Sequence, residues 1–251
     1  MRHALRVTLA LLGVATLTLG GATAVGTAAV PTPKPDLNVV SVQPTGAQTV
    51  GVGHPVIVNY GTPVTDRAAA ERSIRVVSPT VMTGSYEWVS PTSVHFMPDQ
   101  LWPAHSQIKL MVGGLPRSFE TGAAVVGVAD VSAHTFTVSI DGEVARQMPA
   151  SMGKPKFPTP LGQFTVLGKE NPVVMDSRTI GIPLDDPEGY KLTVNYAVRI
   201  TWGGVYVHSA PWSVGSQGYA NVSHGCINLS PDNAAWYYNN VGIGDPVVVQ
   251  A

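Results

Sequence analysis

The chain has 251 residues, 44% of them hydrophobic, and its 15 basic and 16 acidic side chains give a formal net charge of −1. This balance, without any cluster of basic residues, argues against nucleic-acid binding, because phosphates would not be neutralised. The length allows one large core or two smaller ones, and we expect two.

The first 29 residues have the composition of an export signal. Arg2 and Arg6 make the start positive, residues 7–20 form an apolar run, and residues 27–29 are small, as at a cleavage site. Because the run is shorter than the roughly 20 residues of a membrane span, we predict export to the periplasm or cell wall. Membrane attachment is expected only through an uncleaved signal. Residues 30–36 are proline-rich and predict a stiff linker.

Residues 37–122 predict an antiparallel β-sandwich of the immunoglobulin-like kind. Short segments rich in β-branched and aromatic residues alternate with Gly, Pro and Asp, and no long helical period interrupts them. A short helical turn is expected at 66–71. The expected strands are 56–60, 73–77, 93–97 and 107–112.

Residues 123–251 predict a second, mostly β domain. An alternating pattern begins at His134, which is interpreted as a strand side chain, and Asp141-Gly142 is a strong two-residue hairpin signal. Residues 192–202 alternate over their whole length, as in one strand. Two glycines then turn the chain into a further strand with His208 at its end.

One helix is clearly indicated near the C-terminus. Ser230 is a good N-cap, Pro231 suits the first helical position, and Asp232 favours the positive end of the helix dipole. Residues 233–238 continue the helix, and residues 245–249 close the chain as a strand.

Cys226 is the only cysteine, and it lies in the segment Ser-His-Gly-Cys-Ile-Asn at 223–228. The polar neighbours are typical of an exposed turn. A thiol becomes a strong nucleophile when a base takes its proton, and His208 is a candidate for that base. Gly225 lets the backbone turn sharply and bring N–H groups toward a reacting carbonyl.

Two other interpretations of Cys226 stay open. A lone cysteine is most often a small buried apolar residue. Alternatively, His208, His224 and Cys226 would bind Zn²⁺, although no CxxC or HExxH spacing accompanies them and no fourth ligand is evident.

His208, fourteen intervening residues and then 223–228 resemble the signature of the YkuD-type L,D-transpeptidases. Further matches to that family lie at 158–164, Met175-Asp176, Tyr190 and 208–212. The whole chain is similar to the mycobacterial members, which carry an N-terminal immunoglobulin-like domain.

The resemblance implies a mostly β protein, with an immunoglobulin-like β-sandwich at 37–122 and a YkuD-type β-sandwich catalytic domain with one or two short helices at 123–251. It implies a peptidoglycan L,D-transpeptidase that forms 3-3 cross-links between stem peptides. The acyl-enzyme would be a thioester on Cys226, formed with release of D-Ala from a tetrapeptide donor. A diamino-acid amine would be the acceptor, and neither a cofactor nor a metal is implied.

The resemblance also implies roles for single residues. Cys226 would be the nucleophile, His208 the base, and Ser209 the third member through its backbone carbonyl. Oxyanion donors would be the backbone N–H groups of Gly225 and Cys226, joined by Tyr190. The substrate-binding residues would be Met175, Tyr190, Trp212, Ser223, His224 and Asn228.

Ile180 stands where part of the family has a second tyrosine over the site, so a tyrosine contact there is not expected. Carbapenem-type β-lactams are expected as covalent inhibitors, and the protein is expected to be a monomer. Two further functions stay open: an L,D-carboxypeptidase, in which water replaces the amine, and a non-catalytic wall-binding protein.

Overall fold

The computed structural model describes residues 37–251, and the expected signal and linker lie outside these described residues. The strands of the N-terminal part are β1 Val39–Gln43, β2 Thr49–Val50, β3 Val56–Tyr60, β4 Arg75–Ser78, β5 Gly84–Ser90, β6 Ser93–Pro98, β7 Gln107–Val112 and β8 Leu115–Thr121. They form two four-stranded sheets, ordered β1-β3-β6-β5 and β2-β8-β7-β4. Helix α1, Arg67–Arg72, is capped at its N-terminus by Asp66, whose carboxylate accepts a hydrogen bond from the Ala69 N–H at 2.9 Å.

The two N-terminal sheets bury their inner faces against each other. Val58 and Val94 of one sheet and Ile108 and Phe119 of the other belong to one apolar cluster. Trp102 lies in the same cluster and packs edge-on against Phe119, with ring centroids 5.5 Å apart. The alternating pattern therefore builds the sandwich that the sequence predicts, because every second residue of a strand faces the core.

The C-terminal part begins after residue 124. Its strands are β9 Val125–Asp130, β10 Thr135–Ile140, β11 Glu143–Pro149, β12 Gly162–Thr165, β13 Gly168–Glu170, β14 Val173–Asp176, β15 Lys191–Val194, β16 Ala197–Arg199, β17 Tyr206–Ser209, β18 Ile227–Leu229 and β19 Pro246–Gln250. A five-stranded sheet has the order β11-β10-β9-β19-β12, a four-stranded sheet the order β13-β16-β17-β18, and β14 pairs with β15. The prediction of a mostly β chain is confirmed.

Helix α2, Pro231–Asn240, packs into the core between these sheets. The Ser230 side chain accepts from the Asn233 N–H, which confirms the predicted N-cap. Tyr237 meets Phe136 of β10 edge-on at 4.9 Å. One apolar cluster joins residues from both larger sheets and the helix, so the four-stranded sheet is held rigidly from behind.

Two local predictions for this part are wrong. His134 is not a strand side chain: it has a φ of 55°, precedes β10, and its Nδ1 lies 3.0 Å from Asn221 Oδ1. Residues 192–202 are not one strand, because Tyr196 has a φ of 53° and breaks the run into β15 and β16, which belong to different sheets. The hairpin at Asp141-Gly142 is confirmed, with φ values of 52° and 90°.

Residues 51–54 of the N-terminal part lie against the turn that precedes β19. The Gly51 N–H donates to Ile243 O and the Gly53 N–H donates to Gly244 O, both at 2.8 Å. The Val52 N–H donates to the buried Asp245 carboxylate at 3.3 Å. Residues 37–251 lie in one compact unit, and the domain bounds 37–122 and 123–251 stay a prediction.

Candidate active site

The parallel strands β17 and β18 bring the histidine and the cysteine together. His208 lies opposite Asn228 in the register, and Cys226 directly precedes β18. Because side chains alternate between the faces of a strand, Tyr206, His208, Cys226 and Asn228 share one face. Val207, Ile227 and Leu229 share the other face and are fully buried in the core cluster. The candidate site therefore lies on one face of a strand pair whose other face packs against the hydrophobic core.

The shared face opens into a cavity of about 330 Å³. The sequence-predicted residues that line it are Met175, Tyr190, His208, Trp212, Ser223, His224, Cys226 and Asn228. Sequence reasoning missed the other lining residues, Leu192, Ser213, Ser216 and Val222. Trp212 is 54% exposed and Val222 is 41% exposed, so the cavity is open to solvent on their side.

His208 is almost completely buried, and its orientation is set by its neighbour. Its Nδ1 lies 2.9 Å from the Ser209 carbonyl oxygen. Since a carbonyl only accepts hydrogen bonds, the proton resides on Nδ1 and the lone pair on Nε2. Burial lowers the pKa of the imidazole to about 4, and the hydrogen bond to Ser209 opposes that shift. At neutral pH His208 is thus an uncharged base.

The Cys226 side chain is partly exposed and lies against the turn between β16 and β17. Its Sγ donates a long hydrogen bond, 3.8 Å, to the Gly204 carbonyl oxygen. Burial raises the pKa of the thiol to about 11, while a hydrogen bond from the Tyr206 backbone opposes the rise. The resting pair is therefore a neutral thiol and a neutral imidazole.

The nucleophile loop, residues 223–226, is not the exposed turn that its polar residues suggest. Ser223 is buried, and its hydroxyl donates to Cys226 O at 2.7 Å and accepts from the Gly225 N–H at 3.0 Å. Gly225 has a φ of 117°, a conformation that side-chain-bearing residues rarely adopt. The Ser223 hydroxyl is thus used inside the loop, which explains why this polar side chain is buried.

Ser213, which bonds to the predicted Asn228, is a residue that sequence reasoning missed. Asn228 Nδ2 donates to Ser213 Oγ at 3.2 Å, and the Ser213 hydroxyl also accepts from Gln217 Nε2 at 3.2 Å. All three residues are buried. Ser213 follows Trp212 in a short 3₁₀ helix, Pro211–Ser213, and no local pattern distinguishes it from other serines.

Tyr190, at the end of the segment 177–190, lines another side of the cavity. Tyr190 packs against His224 with ring centroids 5.0 Å apart, and burial raises the pKa of its hydroxyl, with the nearby Cys226 adding to the rise. Met175 pairs with Leu192 across β14 and β15, and both line the cavity. Ile180 is 39% exposed and is not among the lining residues.

In the alternative interpretation, His208, His224 and Cys226 bind zinc. One ring nitrogen of each histidine already has a hydrogen-bond partner in the protein. His208 Nδ1 faces Ser209 O at 2.9 Å, and His224 Nε2 lies 2.8 Å from Glu188 Oε2. Within residues 37–251, no group of three or more His, Cys, Asp or Glu side chains is placed to hold a metal ion.

Fold and site together define an enzyme class. Residues 124–249 match the family model of the L,D-transpeptidase catalytic domain, YkuD, and residues 13–113 match that of a bacterial Ig domain. A relative 56% identical over 249 residues, 99% of both chains, is L,D-transpeptidase 1 of Mycobacterium tuberculosis. The chain therefore belongs to the L,D-transpeptidase family, with an immunoglobulin-like domain before the catalytic domain.

Solved structures agree with this assignment. The chain is 68% identical to an L,D-transpeptidase from Mycobacterium smegmatis, with a TM-score of 0.82, covering 86% of this chain and 99% of that one. It is 61% identical to the L,D-transpeptidase LdtMt1 in complex with imipenem, with a TM-score of 0.81, covering 86% of this chain and 100% of that one.

Proposed function

We propose that the chain is a peptidoglycan L,D-transpeptidase that uses Cys226 as its nucleophile. It cleaves the bond between the diamino acid and the terminal D-Ala of a stem tetrapeptide and transfers the acyl group to an amine of a neighbouring stem, giving a 3-3 cross-link. The observation that carries the proposal is that Cys226 and His208 share one solvent-open cavity, with the His208 lone pair left on Nε2.

In the acylation half, His208 Nε2 takes the thiol proton as Sγ attacks the carbonyl carbon of the donor peptide bond. The tetrahedral intermediate then collapses. The C–N bond breaks, the imidazolium returns its proton to the departing amine, and D-Ala leaves. Cys226 now carries the acyl group as a thioester, and His208 is neutral again.

In the transfer half, the acceptor amine attacks the thioester carbon. His208 Nε2 takes a proton from the incoming nitrogen, and the proton passes to Sγ as the C–S bond breaks. The products are a new amide bond and the free thiol, so the two halves together need no cofactor.

General-base removal of the proton suits the resting state of the pair. A thiol with its pKa raised to about 11 is protonated at neutral pH, and an imidazole with its pKa lowered to about 4 is free to accept the proton. Because the thiol proton points to Gly204 O at rest, it exchanges that acceptor for His208 Nε2 before it is transferred.

The oxyanion requires donors near Cys226. The Gly225 N–H is engaged by the Ser223 hydroxyl at 3.0 Å, so it serves the oxyanion only if it exchanges that partner. Tyr190 lines the same cavity as Cys226, and its raised pKa keeps its hydroxyl protonated and able to donate. Removing one oxyanion donor costs on the order of 3 kcal/mol in related acyl transfers.

Met175, Trp212, His224 and Asn228 shape the cavity and would hold the donor stem. The ring of Trp212 packs beside that of His208, with centroids 6.0 Å apart and the planes tilted by 34°. The same cavity would take a carbapenem-type β-lactam, whose strained carbonyl would acylate Cys226 in the same way; the imipenem complex of a relative supports this.

Action on the wall places the protein outside the cytoplasm. The family and the Ig-like domain support a cell-wall location, while the export signal that would direct it there lies outside the described residues. In residues 37–251 no helix combines the length and apolarity that crossing a bilayer requires.

The deciding experiment gives the purified protein a tetrapeptide stem with and without an acceptor amine. A cross-linked dimer identifies a transpeptidase, whereas tripeptide alone identifies an L,D-carboxypeptidase, and both products must vanish in Cys226→Ala. Incubation with imipenem followed by mass spectrometry tests the nucleophile. No adduct, or an adduct that persists in Cys226→Ala, would support a non-catalytic wall-binding protein instead.

A further inference from the structure

A carboxylate outside the cavity lining joins three segments of the catalytic domain. Glu188 Oε2 accepts from His224 Nε2 of the nucleophile loop at 2.8 Å and also from Lys154 Nζ. The side chains of Lys154, Glu188 and His224 are only 26%, 25% and 20% exposed. Partial burial makes the Lys154–Glu188 ion pair stronger than a fully exposed pair.

The contact fixes the proton of His224 and the plane of its ring. An ionised carboxylate only accepts hydrogen bonds, so Nε2 carries a proton. The His224 ring also packs against two aromatic rings. Its centroid lies 4.9 Å from that of Phe157 and 5.0 Å from that of Tyr190. His224 is therefore held by Glu188 and by two aromatic rings at once.

Glu188 is also two residues from Tyr190 in the segment 177–190. Two further polar contacts are internal to this segment: Ser177 Oγ accepts from the Tyr190 N–H at 3.0 Å, and Asp186 O accepts from the Gly189 N–H at 2.7 Å. Arg178 and Thr179 donate to the adjacent Asp176. None of these bonds ties the segment to the nucleophile loop. The Glu188–His224 hydrogen bond does.

The geometry points to Glu188 as a positioning residue for acylation: its carboxylate, shared by Lys154 and His224, locks the segment 177–190 onto the nucleophile loop and thereby holds the Tyr190 hydroxyl near the thiol. This inference rests on the proposed function. Glu188 itself touches neither the cavity nor the reacting atoms, so it acts through Tyr190 and His224.

The test is a double-mutant cycle in which the rate of acylation by imipenem is measured by mass spectrometry of the intact protein. Glu188→Ala is expected to acylate on the order of ten- to a hundredfold more slowly, because a donor misplaced by about 1 Å loses that much. Glu188→Gln keeps an acceptor for His224 but loses the charge that binds Lys154, and should fall in between. Asp185→Ala, an exposed acid of the same segment, is the matched control and should acylate at the wild-type rate.

Tyr190→Phe supplies the readout that a purely structural role would not change. If Glu188 positions the tyrosine, Tyr190→Phe slows acylation in the wild-type background and costs much less in Glu188→Ala. The inference is overturned if folded Glu188→Ala acylates normally, or if Tyr190→Phe has the same effect in both backgrounds. Should Glu188→Ala not fold, the same cycle is run with Glu188→Gln. A wild-type protein that forms no adduct overturns the proposed function itself.

Discussion

The Nδ1 atom of His208 donates a hydrogen bond to the main-chain carbonyl of the next residue, Ser209, at 2.9 Å. The group that orients the imidazole is thus a backbone oxygen that any residue at position 209 would supply. It fixes the imidazole tautomer without adding a negative charge beside it, in contrast to an aspartate in that role.

This relationship predicts a sharp difference between neighbouring substitutions. His208→Ala should slow acylation on the order of a thousandfold or more, because the base is lost. Ser209→Ala keeps the carbonyl and should change the rate only a few-fold. Imipenem acylation and tetrapeptide turnover measure both variants, and a Ser209→Ala rate as low as that of His208→Ala would show that the hydroxyl is essential.

The neutral resting pair predicts the pH dependence of the thiol. With the Cys226 pKa raised to about 11 by burial, the thiolate fraction grows about tenfold per pH unit between pH 7 and 10. Alkylation by iodoacetamide should rise accordingly, and Cys226→Ala should not react. A plateau above pH 6 or 7 would instead indicate a thiolate–imidazolium pair at rest.

The joint between residues 51–54 and the turn before β19 predicts a strongly destabilising substitution. A Cβ at Gly51 would lie 2.1 Å from the Asp245 backbone nitrogen and 2.4 Å from the Gly244 carbonyl carbon. Because backbone atoms cannot move aside cheaply, Gly51→Ala should cost about 1–3 kcal/mol in the free energy of unfolding. Gly168→Ala, where a Cβ meets nothing within 4 Å, is the control. Urea unfolding compares the two, and equal stabilities would contradict a close-packed joint.

Asp245 predicts how stability at this joint depends on pH. Burial raises its pKa to about 6, against hydrogen bonds from the N–H groups of Gly242 and Val52. A raised acid pKa means that the folded state binds more protons than the unfolded state between pH 4 and 6, so this group's contribution to stability falls by about 3 kcal/mol as pH rises through that range.

His208 contributes to the pH dependence of stability with the sign opposite to that of Asp245. Its pKa is lowered to about 4 by burial, so the unfolded state binds more protons between pH 4 and 6.5 and stability rises by about 3 kcal/mol over that window. The two slopes nearly cancel in the wild-type protein. Asp245→Asn should therefore gain about 3 kcal/mol relative to wild type between pH 4 and 6.5, as measured by urea unfolding at each pH. A constant difference between the two proteins would contradict the raised pKa.

Local patterns predicted most of the regular structure. Strands β3 and β7, the Asp141-Gly142 hairpin and the cap at Ser230 lie where period-two alternation and turn chemistry indicate them. Residues 192–202 failed because Tyr196 takes a left-handed conformation that no propensity signals, and the alternation continues across it.

Hydrogen bonds between distant segments could not be predicted from local sequence patterns. Ser213 accepts a hydrogen bond from Asn228, fifteen residues away, and Glu188 accepts hydrogen bonds from His224 and Lys154, which belong to two other segments. A serine or glutamate in a loop carries no local signal of such a partner. The burial of Ser223 was missed because its hydroxyl is satisfied by backbone groups inside the loop, which residue type alone does not indicate.

By itself, the sequence predicted which atoms would do the chemistry: one sulfur, one imidazole and the spacing between them, because a candidate nucleophile and its base are recognisable as residue types. Only the tertiary structure decided their state. The core behind β17 and β18 and the walls of the cavity bury His208 and limit the solvation of Cys226, and this desolvation keeps both groups uncharged in the resting site. That environment is assembled from segments far apart in the chain, which no local pattern can report.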